Sequence, residues 1–183
     1  VQNEYLDLGH SDPANKLFTY EFKERLPRAF FVNDHQVIAD EYKRIATINS
    51  RDFDPARTAI IEEEISQLVA APDSSYARLT AFTPNRLDFD VYTKTQALLV
   101  LSEVYYPPGW KILIDGKAVE KIYKTDHALQ SVVVPAGTHK MEVRFEPDSY
   151  SKNIRLASIS VGILYLVIVV SLITNYIKRT KKA

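Results

Sequence analysis

Cysteine is absent from the 183 residues, which excludes disulfide frameworks, thiolate zinc sites, iron–sulfur clusters and cysteine nucleophiles. Its absence leaves the compartment open, because a cysteine-free chain can live in oxidising or reducing surroundings. No glycine-rich phosphate loop and no nucleophile-elbow serine occurs. The four histidines (His10, His35, His127 and His139) lack metal-ligand spacing, and the closest pair stand twelve positions apart. No catalytic residue, resident metal or cofactor is therefore assigned. Acidic residues are missing after Asp148, and charge of either sign is missing from 156 to 177.

A formal net charge of zero hides a split. Residues 1–150 hold all 23 acidic residues against 17 basic ones, a net charge of −6. Lys178, Arg179, Lys181 and Lys182 add four positive charges at the other end. An acidic body is a poor match for phosphate backbones, so nucleic acid is not expected as a partner.

The uncharged stretch reads LASISVGILYLVIVVSLITNYI. As a helix it is roughly 33 Å long, enough to cross a hydrocarbon core of about 30 Å. Ser158, Ser160, Ser171 and Thr174 can satisfy their hydroxyls on the preceding turn, and Tyr176 sits at one end, where an interfacial aromatic belongs. One transmembrane helix is expected at 156–177, with a basic cytoplasmic tail at 178–183. The positive-inside tendency then puts residues 1–150 outside the cytoplasmic membrane of a bacterium, the periplasmic side where there is one. The sequence opens at Val1 with neither initiator Met nor export signal. The expectation is either a removed upstream signal or the C-terminal piece of a longer membrane protein.

The exported part reads as β. Residues 1–25 predict an N-terminal extension: loop plus a short strand near 17–22, with Tyr5, Phe18, Tyr20 and Phe22 scattered through it. A small α/β segment is expected over 26–75: a strand at 26–32 and a helix near 40–50 capped by Asp40. A turn at Asp54-Pro55 follows, then a strand at 58–62. From 76 to 150 strands recur with turn chemistry between them, which predicts an antiparallel β-sandwich. Leu87, Phe89 and Val91 share one face of a strand, and 97–105 is apolar enough for a central one. Asp115-Gly116 predicts a hairpin joining 110–114 to 118–123, and Pro135-Ala136-Gly137 another joining 131–134 to 139–145. The fold class is mainly β (α+β), a sandwich-like domain with one small helix and a C-terminal span.

Asp52-Phe53-Asp54 and Asp88-Phe89-Asp90 have the spacing that can hold a divalent cation on a nucleotide-sugar. The simpler reading is Asp52 with Asp54 as a helix cap and Asp88 with Asp90 as the solvent face of a strand. Glu62-Glu63-Glu64 reads as a solvated charge run. His127 and His139 would face one another if their strands were neighbours. Tyr105, Tyr106 and Trp110, around Pro107-Pro108-Gly109, can stack on sugar rings or anchor an interface, but the simpler reading is that Trp110 and one tyrosine plug the end of the core. Ser158 and Gly162 form a small-xxx-small pair for helix packing.

The strings Leu26-Pro27-Arg28-Ala29-Phe30-Phe31-Val32, Asp52-Phe53-Asp54-Pro55 and Leu99-Val100-Leu101-Ser102-Glu103 resemble the YfhO-type bacterial membrane protein family. So do Tyr106-Pro107 with Gly109-Trp110-Lys111, Asp115-Gly116-Lys117, and Val134-Pro135-Ala136-Gly137 with His139. In order they run from Leu26 to His139. The resemblance implies the C-terminal end of a many-span protein associated with lipid-linked sugar transfer: an exported β-domain followed by a last transmembrane helix. Two departures stand out. Pro107-Pro108 lengthens a turn the family writes as Tyr-Pro-Gly-Trp, and the upstream spans that hold such enzymes' carboxylates are not in this sequence. The leading expectation is a non-catalytic single-span subunit docked on a larger integral membrane protein complex. The alternative is the part of a multi-span glycosyltransferase that binds glycan or lipid-linked sugar.

Overall fold

The computed structural model describes the backbone of residues 6–67 and 69–180, with side chains described for these except 151 and 174–180. Tyr5 and residues 181–183 of the basic tail lie outside the described residues, as do the side chains of Thr174, Tyr176, Lys178 and Arg179. In chain order the elements are β1 (Leu6–Asp12), β2 (Leu17–Phe22), β3 (Ala29–Phe31), β4 (Asp34–Val37), α1 (Glu41–Ile48), β5 (Thr58–Ile61), β6 (Ser75–Thr83) and β7 (Arg86–Thr93). They continue with β8 (Ala97–Leu101), β9 (Trp110–Ile114), β10 (Lys117–Ala118), β11 (Tyr123–Thr125), β12 (Leu129–Val134), β13 (Gly137–Phe145) and α2 (Asp148–Thr180).

Period-two patterning builds two layers. In β7, Leu87, Phe89, Val91 and Thr93 are buried while the residues between them are not. Met141 and Val143 of β13 and Ile112 and Ile114 of β9 bury the same side. These strands belong to a five-stranded sheet ordered β10-β9-β13-β7-β6. Its inner face meets Ala29, Leu99, Leu101, Val132 and Val134 from a six-stranded sheet ordered β3-β8-β12-β11-β5-β4. Each large side chain removed from water there contributes about 1.5–3 kcal/mol.

β8 is buried along its whole length. Leu99 and Leu101 point into the sandwich, whereas Leu98 and Val100 join Val32 and Ala59 in a second cluster on the outer face. Ile65 packs against that cluster, so the connection after β5 covers what would otherwise be exposed apolar sheet. The segments on either side of residue 75 thus share the six-stranded layer.

Three expectations change. β4 and β5 are parallel, with Asp34 opposite Thr58 and Val37 opposite Ile61, in an otherwise antiparallel assembly. A parallel pair needs a crossover to bring the chain back to the same end, and α1 with the turns of 49–57 supplies it. Its cap is the expected one: Asp40 accepts the Lys43 amide at 2.8 Å. The strand expected at 118–123 breaks in two. Lys117 and Ala118 pair with β9 in one sheet, and Tyr123 and Lys124 pair with β12 in the other, because 119–122 crosses between layers. Residues 6–22 form a hairpin of their own, a two-stranded sheet separate from both layers, where only the second strand was expected.

α1 is held by one arginine. Arg44 is only 3% exposed; Nη1 donates to the Ile38 and Ala39 carbonyls at 2.9 and 3.1 Å. Its Nη2 lies 2.7 Å from Glu62 Oε1, which Lys124 also approaches at 2.8 Å. The guanidinium therefore ties the end of β4 to the chain leaving β5. Arg44→Met keeps the bulk and removes these bonds, and should lower stability by about 1–3 kcal/mol in urea unfolding, since Glu62 keeps Lys124. An unchanged midpoint would contradict this role.

After β13 the chain turns through Glu146-Pro147 into α2, continuous over Asp148–Thr180. Asp148–Ile173 is long and apolar enough to cross a membrane, and none of its most apolar stretch is buried against the rest of the chain. Ser158 and Ser160 donate to the Ile154 and Leu156 carbonyls at 2.8 and 2.9 Å, as expected.

Candidate functional site

The expected aromatic residues converge where the sandwich meets α2, but with different roles. Trp110, first residue of β9, is half-buried on the core, edge-on to Phe145 with ring centroids 4.9 Å apart. Its Nε1 donates to the Val104 carbonyl at 2.8 Å, which satisfies the indole and folds the loop back on itself. Tyr105 is half-buried, its amide bonded to the Ala128 carbonyl at 2.8 Å. Tyr106 is 47% exposed, its ring 6.1 Å from that of Phe145. Of the three, Trp110 closes the core and Tyr106 offers a ring to the outside.

Gly109 makes the geometry possible. A β-carbon there would fall 2.4 Å from Phe145 Cε2 and 2.8 Å from Tyr106 Cδ1. Its carbonyl accepts the Glu146 amide at 2.7 Å, which links the loop to the chain entering α2.

The opposite end holds a cleft that sequence reasoning missed. About 300 Å³ in volume, it is floored by Ile114, Val119, Tyr123, Val133 and Pro135. His139 and Asp115 stand at its edge, Nδ1 and Oδ2 2.7 Å apart. Asp115 and Gly116 both have positive φ, 50° and 77°, as the hairpin turn requires. Asp115 Oδ1 also accepts the Lys140 amide at 2.9 Å. Chiefly the His139 contact, then the Lys140 amide, hold the Asp115 carboxyl below the usual carboxylate range. Lys121 at the rim is pushed up by its bond to Glu63, and Gln67 donates to Glu120 at 2.7 Å. An apolar floor with a polar rim is a shape that binds. The one advance signal was the Asp-Gly turn, which fixes a hairpin and says nothing of the space beside it.

Other candidates disperse. His139 meets Asp115, whereas His127 lies toward the other end, 4.0 Å from Glu41, so the two histidines do not face each other. Their strands run to opposite ends of the sheets. Arg86 Nε donates to Asp88, Lys140 pairs with Asp90, and Asp54 accepts the Ala56 amide at 3.0 Å. Among the described residues no three histidine, aspartate or glutamate side chains cluster as metal ligands. Ser158 and Gly162 stand one turn apart on α2, and nothing lies within 4 Å of a β-carbon built on Gly162.

A second missed surface is the separate hairpin. Leu8 lies opposite Tyr20 and Leu6 opposite Phe22, while Phe18 shares the Tyr20 face by alternation. Leu8, Phe18 and Tyr20 are 57%, 51% and 50% exposed. Asp7, Thr19 and Glu21 take the other face, together with Leu17, which is 62% exposed. Alternation across 6–8 and 18–22 carried this signal.

Family models, curated proteins and solved structures were compared with the chain, and none matches.

Gly109→Ala should destabilise the domain by about 1–3 kcal/mol, because the methyl group must displace Phe145 or Tyr106. Urea unfolding with an unchanged slope and a lower midpoint checks it; a wild-type midpoint would show the loop more yielding than this.

Because the folded Asp115 pKa is depressed, its contribution to stability is present above the unfolded value of about 3.9 and lost as pH falls through the folded value. Asp115→Asn tolerates the same positive φ. It should lower the melting temperature at pH 7 and lower it less at pH 3. An equal loss at both pH values would remove the carboxylate as cause.

Proposed function

We propose that this chain is a non-catalytic, single-span membrane subunit whose β-domain docks, outside the cytoplasmic membrane, on a larger integral membrane protein assembly. The observation that carries this reading is the exposed apolar surface of the separate hairpin. Two-stranded hairpins are marginal in water by themselves, and Leu8, Phe18 and Tyr20 gather exposed apolar area on one face of a sheet that neither sandwich layer extends. A partner that covers this face stabilises the hairpin and is held by it.

α2 supports the same conclusion. Its side chains from Leu156 to Ile173 are apolar on every side, with no polar stripe, which suits lipid and neighbouring spans. Ser158 and Gly162 supply a small-residue strip on which another span can pack closely. The basic residues after 177 and the acidic body before 150 favour a cytoplasmic C-terminus and an extracytoplasmic, in a diderm periplasmic, sandwich.

A second reading follows the resemblance to the YfhO-type family: the glycan- or lipid-linked-sugar-binding end of a multi-span glycosyltransferase. The cleft between Ile114 and Val133 favours it, as does the exposed ring of Tyr106. Sugar rings stack on aromatic faces and hydrogen-bond to polar rims.

The test replaces the hairpin's face. Leu8→Ser with Tyr20→Ser should leave sandwich unfolding within about 0.5 kcal/mol of wild type, since the substitutions lie outside both layers. In native gels of gently solubilised membranes the variant should migrate free of the assembly. A variant that keeps the wild-type assembly mass contradicts the docking role of this face.

A further inference from the structure

The end of the sandwich nearest α2 carries apolar side chains that neither core nor helix covers. Val104 is 68% exposed, Phe82 57% and Tyr106 47%. Tyr150, on the first turn of α2, is 66% exposed. The hydrogen bonds of the loops place these residues at one end. Phe145 bonds the Asn85 carbonyl in the turn after Phe82 at 2.9 Å, and Glu146 bonds Gly109. Arg28 lies over the Phe82 ring at 4.8 Å and bonds Glu103, beside Val104, at 2.9 Å.

Charge at this end is internally balanced. Arg28 pairs with Glu103, Arg86 and Arg144 with Glu142, and Lys111 with Glu146 and Asp148. The apolar residues therefore stand among neutralised pairs, a composition that suits the interfacial zone of a bilayer and needs no anionic lipid.

The connection to α2 fixes the distance. Only Glu146 and Pro147 separate β13 from α2. From Asp148 to Leu156 a helix rises about 12 Å. The interfacial layer of each leaflet is roughly 5–8 Å deep, and an aromatic side chain spans most of the remainder. Lys152 and Arg155, just before Leu156, are placed to lift their charges to headgroup level while their stems stay apolar.

We propose that this end of the β-domain is a membrane-contact surface. Phe82, Val104, Tyr106 and Tyr150 seat in the lipid headgroup zone around the entry of α2 and hold the domain upright on the bilayer. The proposal rests on α2 crossing the membrane. It gives the lengthened Tyr106-Pro107-Pro108-Gly109 turn a task, since the turn carries Tyr106 outward beside the span.

The absence of cysteine makes the test direct. The full chain is reconstituted in phosphatidylcholine vesicles as three single-cysteine variants, each labelled with an environment-sensitive fluorophore. Val104→Cys reports the proposed contact, and Lys117→Cys reports the far end, a strand's length away along β9. Val167→Cys reports the middle of α2. One vesicle set carries nitroxide on the choline headgroup, the other deep in the acyl chain.

The expected result is headgroup-nitroxide quenching at 104 roughly threefold or more above that at 117, with acyl-chain quenching at 167. Equal quenching at 104 and 117, with 167 still quenched, would overturn the contact and leave the span standing. No acyl-chain quenching at 167 would remove the span, and the contact with it. Phe82→Ser with Tyr106→Ser should reduce quenching at 104 at least about twofold. Unchanged quenching in that variant would also overturn the assignment.

Discussion

Everything in the domain leans on burial of β8 from both sides. Ala97 to Leu101 are all at most 3% exposed, so two covers must exist. The five-stranded sheet is one, and the chain after β5 is the other. The first requirement makes the molecule a sandwich. The second explains why the segment before residue 75 cannot be set aside as an appendage: it supplies Ala59 and Ile65 to the outer cluster and three strands to the sheet. An antiparallel sheet usually leaves one face to water; the central strand here does not.

The sandwich has two ends of different chemistry. At one, the Asp115-Gly116 and Pro135-Ala136 turns border a cleft whose polar groups already hold one another. At the other, Trp110 and Phe145 seal the core, Gly109 brings the loop against them, and the chain leaves for α2. Hydrogen bonding from Glu146 to Gly109 makes the exit part of the folded body. The helix therefore begins against the sandwich, with no linker between them.

Local chemistry was the legible part. The Asp40 cap, the alternation of Leu87, Phe89 and Val91, the double positive φ at Asp115 and Gly116, and the serines of α2 are all decided within a few residues. What the sequence hid depends on partners far along the chain. The parallel pairing of β4 with β5 needs the α1 crossover and Arg44 to be placed first. Residues 118–123 read as one strand because nothing local says that 119–122 must cross between layers. His127 and His139 would have faced one another only across neighbouring strands, and their turns lie toward opposite ends. The cleft arises from three segments meeting, so no single string announced it. β1 was overlooked because Gly9 and His10 interrupt its alternation with a bulge.

Two apolar surfaces outside the core and a helix apolar on every side suit the proposed place beside lipid and other protein. The subunit reading and the transferase-tail reading share this architecture and differ in what else belongs to the same polypeptide. The decisive measurement is the intact mass of the polypeptide that carries this stretch, taken after gentle detergent extraction from the native membrane. A subunit appears as a chain near 20.9 kDa travelling with unrelated multi-span proteins. A much longer polypeptide containing the same stretch would contradict the subunit account and move the chemistry upstream.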